Sequence, residues 1–144
     1  MAKKIQVVID CADPSKLAEF WAHALGYHIP DPPGDFKTWP DFLRAQGVPE
    51  SEFNSASAVE DPDGVGPRVY FQRVPEPKAG KNRLHLDINA GGGRATPEDE
   101  KRALVDAAVE DLVAHGATRV EDRTKMGERW VVMADPEGNE FCVQ

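Results

Sequence analysis

Arg83-Leu84-His85-Leu86-Asp87 alternates polar and apolar residues, so on a strand His85 and Asp87 share one face and Leu84 and Leu86 the other. A carboxylate two residues from an imidazole orients the ring, which suits a general base or a group that recognises a ligand. The same pair also serves as a satisfied imidazole in a pocket wall, so binding ranks ahead of catalysis for His85. Near the C-terminus Glu140, Cys142 and Gln144 alternate with Phe141 and Val143, and near the N-terminus Gln6, Val8 and Asp10 alternate with Val7, Ile9 and Cys11. Tyr70 and Gln72 share a face of a further strand-like run. In each run the apolar set is expected to meet a helix, which turns the polar set toward a cavity. Cys11 and Cys142 lack CxxC spacing and sit in strand-like segments, so both read as buried, reduced thiols.

The elements that must hold these residues follow from local signals. The first strand runs from Ile5 to Cys11. Asp13-Pro14 then caps and starts a helix with Leu17, Phe20, Trp21, Ala24 and Leu25 on one stripe, and Gly26 ends it. Tyr27-His28-Ile29 reads as a short strand. Residues 30–54 are rich in proline, with a short helix expected over Trp39–Arg44 that lays Trp39, Phe42 and Leu43 as a flap. Strands are expected over Phe53–Val59 and Arg68–Val74, separated by the Asp61-Pro62-Asp63-Gly64 turn. A strand over Arg83–Asn89 follows. Thr96-Pro97 opens a second helix, with Thr96 as its capping hydroxyl, Leu104, Val105, Ala108, Val109 and Leu112 along it, and Gly116 closing it. Strands over Thr118–Glu121, Arg129–Ala134 and Glu140–Gln144 complete the chain, the last two joined by the turn Asp135-Pro136-Glu137-Gly138.

These landmarks recur in order. Each half has a strand, a proline-started helix closed by glycine, a short strand, a strand before a DP[DE]G turn, and a closing strand. One DPxG turn is weak evidence, whereas the same ordered set twice in 144 residues points to an internal duplication. The expected fold is α+β: two tandem βαβββ modules, about 1–75 and 82–144 of a single domain spanning 1–144. They form a cup-shaped mixed sheet with helices outside and the cavity between.

With Asp13-Pro14 through Phe20-Trp21, Leu25-Gly26-Tyr27, Arg83 to Asp87, Gly116-Ala117 and Ala134 to Phe141, the chain resembles the vicinal oxygen chelate superfamily. That superfamily includes glyoxalase I, extradiol dioxygenases and bleomycin-resistance proteins. The stretch Gln72 to Lys78 with Asn82 to Asp87 looks most like its glyoxalase-like members. The resemblance implies a metal site drawn from four strands, at positions matched here by Gln6, Gln72, His85 and Cys142. Metal-dependent members place carboxylates at the second and fourth of these positions, where this chain has Gln72 and Cys142. Mg²⁺, Mn²⁺ or Fe²⁺ needs carboxylate charge. No metal or other cofactor is therefore favoured; a divalent metal, if present, would use Gln6, Gln72 and His85 with Glu140 or Cys142. The ligand-binding set expected around the cavity is Gln6, Val8, Asp10, Trp39, Tyr70, Gln72, Arg83, His85, Asp87, Trp130, Glu140 and Cys142, with His85 the one candidate for catalysis.

Bulk properties narrow the partners. Seventeen basic and 25 acidic side chains leave a net charge of −8, which repels nucleic-acid backbones. No apolar run reaches the ~18 residues that suggest a membrane span. The apolar run after Lys4 is too short for a secretion signal, and Asp10 and Asp13 interrupt it, so a cytoplasmic location is expected. A small-molecule ligand and a homodimer are the expected partners. Three functions fit: a metal-free pocket protein that binds or transforms a small organic compound, a metal-dependent lyase, isomerase or dioxygenase of the glyoxalase type, and a drug-sequestering protein without turnover.

Overall fold

The computed structural model describes all residues from Met1 to Gln144. The chain divides into two compact units, Met1–Pro77 and Lys78–Gln144.

In the first unit, strand β1 (Val7–Cys11) leads into helix α1 (Pro14–Leu25). Asp13 caps α1, its carboxylate accepting from the Lys16 N–H, and Gly26 ends it in the left-handed region at φ 67°. The cap is doubled from a distance. Asn54 donates its amide N–H to Asp13 at 2.8 Å and accepts from the Ser15 N–H at 2.9 Å, tying the helix start to the chain before β2. Helix α2 (Trp39–Ala45) forms where the sequence predicts, with Thr38 as its cap. Strands β2 (Ala56–Val59) and β3 (Val69–Arg73) finish a three-stranded sheet in the order β1-β3-β2, with β1 and β3 parallel and β2 antiparallel to β3. The expected second strand shrinks to a single bridge between His28 and Glu60. Leu17, Ala18, Phe20 and Trp21 of α1 are buried with Val59, Val69 and Phe71 of the sheet. Each of the larger ones, such as Leu17, Phe20, Val59 or Phe71, contributes about 1.5–3 kcal/mol of burial.

The second unit repeats the plan. Strand β4 (Asp87–Ile88), helix α3 (Glu98–Ala114), and strands β5 (Thr118–Lys125), β6 (Glu128–Ala134) and β7 (Glu140–Val143) form a sheet in the order β4-β7-β6-β5. Here too the first and last strands are parallel neighbours, Asp87 beside Cys142. Val105, Val109 and Leu112 of α3 are buried, as are Val131, Met133, Phe141 and Val143 of the sheet.

The two Asp-Pro turns share one construction. The Asp61 carboxylate accepts from the N–H groups of Asp63, Val65 and Gly66. The Asp135 carboxylate accepts from the N–H groups of Glu137 and Asn139 and from the Asn139 side chain. In both turns the fourth residue, Gly64 or Gly138, has positive φ and donates its N–H to the aspartate carbonyl at 2.9 Å. The chain is therefore an α+β protein of two tandem strand-helix-strand-strand-strand modules.

Three local expectations change. The fourth strand does not extend back to Arg83. Leu84 is 74% exposed instead of meeting α3, because chain before Asp87 is held elsewhere: the Asn82 N–H and the Lys78 ammonium both bind the Glu140 carboxylate. Thr96 does not cap α3, whose N-cap is Pro97 with no side-chain bond. Leu104 stays exposed, since the buried stripe Val105-Val109-Leu112 follows i, i+4, i+7 and leaves it off the line.

Candidate functional site

Each sheet has one face against its helix and one face without a helix of its own unit. On the first sheet the pairing puts Val8 beside Tyr70 and Asp10 beside Gln72, while Val69 and Phe71 are buried toward α1. Val8, Asp10, Tyr70 and Gln72 thus share the uncovered face. Gln6 sits just before β1, where its side-chain oxygen accepts from Arg68 at 2.7 Å. Arg68 also pairs with Glu60 at 2.9 Å and lies 5.4 Å from the centre of the Tyr70 ring. Gln72, in register with Asp10, is four positions along from Gln6, about 13 Å at strand rise. The structure therefore groups Gln6 with Arg68 and Tyr70, and Gln72 with Asp10. Trp39 belongs to an aromatic cluster with Phe42, itself edge-on to Phe36, and the Trp39 indole N–H donates to the Pro30 carbonyl at 2.7 Å.

The second sheet carries the denser chemistry. Cys142 lies between Asp87 on β4 and Val132 on β6. Glu140 lies two residues away on the same side, and the β5 pairs Glu121–Val132 and Arg123–Trp130 continue this face. His85 reaches it through its ring: Nδ1 is 2.9 Å from the Asp87 carboxylate and 4.0 Å from Cys142 Sγ. A carboxylate only accepts, so Nδ1 donates to Asp87 and Nε2 is the nitrogen left for a ligand. Burial pushes the Cys142 thiol above its ordinary pKa, and the charge of Asp87 and a hydrogen bond to it push the same way. Asp87 thus accepts hydrogen bonds from imidazole and thiol alike. The trio cannot act as a thiolate relay, because both partners address the same imidazole nitrogen. What it offers a ligand is Nε2 of a His85 ring that Asp87 holds in place.

Glu140 is held beside this trio. Its partial burial opposes ionisation, but the Asn82 N–H and the Lys78 ammonium outweigh it and keep the carboxyl below its usual range. Lys78 and Asn82 stand at the inner ends of the two parts of the stretch that carries the resemblance, but sequence reasoning gave neither a place at the site; nothing in their spacing shows that they return to Glu140. Arg83 is exposed on the irregular segment before β4. Trp130 is half-buried on β6 and also walls a cavity formed with residues 89–105.

The donor atoms of His85, Asp87 and Cys142 lie within 4.8 Å of one another, close enough for an ion to be considered. Their chemistry does not fit an oxygen-seeking divalent ion. There is one carboxylate, one imidazole already turned to it, and a thiol biased toward its neutral form. A thiophilic ion would suit the donor types better, but only after displacing the proton that Cys142 holds.

The sequence profile of a family described as Glyoxalase-like domain matches residues 6–144. The chain belongs to that family. Among curated proteins no match was found. Solved structures share the fold at low identity. A glyoxalase/bleomycin resistance protein/dioxygenase family enzyme from Burkholderia phytofirmans PsJN is 14% identical, with a TM-score of 0.63 over 96% of this chain and 94% of that one. A possible glyoxalase from Bacillus cereus is 14% identical, with a TM-score of 0.58 over 100% and 99%. A mutant fosfomycin resistance protein, FosX, from Listeria monocytogenes, complexed with Mn(II) and 1S,2S-dihydroxypropylphosphonic acid, is 11% identical, with a TM-score of 0.63 over 100% and 90%. No helix of this glyoxalase-like chain is long and apolar enough to cross a membrane.

Proposed function

We propose that this glyoxalase-like protein binds a small organic molecule on the uncovered face of its second sheet and does so without a resident metal. His85 Nε2 accepts a hydrogen bond or a proton from an O–H or N–H group of the ligand. The observation that carries this reading is the 2.9 Å contact between His85 Nδ1 and Asp87 on a face that also presents Cys142 and Glu140. A strand face given over to a titratable pair and a clamped carboxylate is more useful to a ligand than to a core. Turnover would need Nε2 to abstract a proton, with Asp87 orienting the ring from Nδ1.

The closeness of three donor atoms favours a second reading, a metal-dependent lyase, isomerase or dioxygenase. One experiment separates the two. A thermal-shift screen of small hydroxylated and carbonyl compounds supplies hits, which are then titrated by calorimetry before and after EDTA treatment and against His85→Ala. The metal-free reading expects affinities unchanged by EDTA and at least tenfold weaker in the variant, a loss of about 1.4 kcal/mol. A stoichiometric metal surviving purification, absent from His85→Ala by elemental analysis, would transfer the case to the second reading. Tight binding with the compound recovered unaltered would mark a sequestering protein. Two copies are expected to pair, which sedimentation velocity measures directly.

A further inference from the structure

The second unit holds a cavity of about 200 Å³ that the reading above does not use. It is walled by Asn89, the Gly91–Arg94 loop, the first two turns of α3 and the start of β6. Three cations face it without an ion-pair partner, Arg94, Lys101 and Arg102, beside Arg129, whose charge is shared with Asp106 and Asp122, and against two lining carboxylates, Glu98 and Glu128; Gln144 completes the wall. This is a local inversion of sign in a chain whose net charge is −8.

The cations are not there to neutralise one another's partners. Arg129 is the structural one: its Nη2 binds Asp106 at 2.7 Å and Asp122 at 2.8 Å, while its Nη1 is buried with no acceptor. Arg94, Lys101 and Arg102 form no ion pair, although Arg44, Arg68, Arg73, Arg119 and Arg123 all do. Collecting unpaired cations around one hollow costs electrostatic repulsion, which an arriving anion relieves. The loop adds access. Gly92 has φ 79°, a left-handed conformation, and Gly93 has open space where a Cβ would be, so the main chain can approach a ligand closely. The cavity is smaller than the ~300–1,000 Å³ of drug-sized sites, which limits the occupant to a compact group.

We propose that this cavity is a binding site for a small oxyanion, a phosphate or carboxylate group free or carried on a small metabolite. Guanidinium groups suit either, through paired N–H donors.

Inorganic phosphate and succinate serve as probes, each titrated into the isotopically labelled protein and followed by amide chemical shifts, at low and high salt. The expected result is saturable binding in the millimolar range or tighter, with shifts confined to residues 89–105 and 128–130. The double variant Arg94→Gln/Arg102→Gln changes two exposed side chains and should weaken binding at least about tenfold. Glu98→Gln/Glu128→Gln should strengthen it, and still tests the site if the first variant folds poorly. Lys3→Gln/Lys4→Gln lowers the net cation count elsewhere by the same amount and should change nothing. Stronger binding of phosphate or of succinate assigns the anion's class. Non-saturable shifts, shifts spread over other surface lysines, or equal weakening by the Lys3/Lys4 variant would overturn the proposal.

Discussion

Replacing Asp87 by Asn should make Cys142 more reactive. Asp87 holds the thiol neutral by its charge and by accepting from it, on top of the burial that dominates the shift. The donor atoms lie within 4.8 Å, so Coulomb's law gives about 1 kcal/mol at the dielectric of water and roughly 3.5 at an effective value of 20. The Asp87 side chain is 41% exposed, and screening places the working figure at the low end, about 1 kcal/mol. That is roughly fivefold in thiolate at a pH below the thiol's range. Native protein is treated with iodoacetamide, quenched over time, and both cysteine peptides are quantified by mass spectrometry. Cys142 should be alkylated about fivefold faster in Asp87→Asn. Cys11, buried in the other unit with its thiol 3.6 Å from the Gln72 carbonyl, should not change. The pH profile separates electrostatics from access. A raised pKa favours the thiol over thiolate, so the two proteins should differ most at neutral pH and converge as pH climbs through the thiol's range. Equal rates at neutral pH, or a ratio that stays constant to high pH, would refute the reasoning, the latter because it would mean that a loosened His85 merely opened a path.

Other outcomes test the scaffold. Asp135→Ala removes the acceptor for two N–H groups and the Asn139 amide in a turn whose aspartate is only 3% exposed; it should cost about 2–4 kcal/mol by urea denaturation, and a loss below 1 would contradict the structure. Asp61 is held below its ordinary range first by the Gly66 N–H and then by that of Asp63. A depressed carboxylate stabilises the fold above its unfolded pKa and loses that contribution as pH falls through the folded value. Urea midpoints should therefore fall more steeply on acidification in the wild type than in Asp61→Asn; parallel curves would remove Asp61 from the acid limb. Trp21→Ala empties a site 2% exposed and edge-on to Phe20, for an expected loss of about 3–5 kcal/mol.

The sequence made legible whatever local chemistry decides. Asp13, Pro14 and Gly26 mark the limits of α1 by residue type alone, and each Asp-Pro turn closes on its own aspartate. The paired faces were legible too, because period-two alternation is a property of the strand. Contacts made across the chain were hidden. Asn54 completes the cap of α1 from 41 residues away. Lys78 and Asn82 clamp Glu140 and thereby shorten β4, so the alternation of Leu84 and Leu86 predicts a strand whose first half never pairs. Gln6 and Gln72 looked like partners because the resemblance to the superfamily matched both to its metal-site positions. Parallel register separates them, and nothing in either residue's neighbourhood reveals register.

The duplication also shows what has been kept and what has drifted. Both units keep the first strand parallel to the last, the helix on one face, and the aspartate-bound turn before the final strand. Those features hold the backbone, and a change in any of them costs stability. The uncovered faces share no such constraint. In the first unit that face is neutral or singly charged at each pair, Val8 with Tyr70 and Asp10 with Gln72. In the second, the equivalent parallel pair is Asp87 with Cys142, and His85 is drawn in beside it. Two copies of one scaffold with unequal open faces accord with the proposal that the ligand is held by the second unit. Exchanging Val8 or Gln72 should therefore leave ligand binding unchanged, whereas changes at His85 or Asp87 should alter both its affinity and its pH dependence. A pH profile of ligand binding shifted by Gln72→Ala as strongly as by Asp87→Asn would contradict that asymmetry.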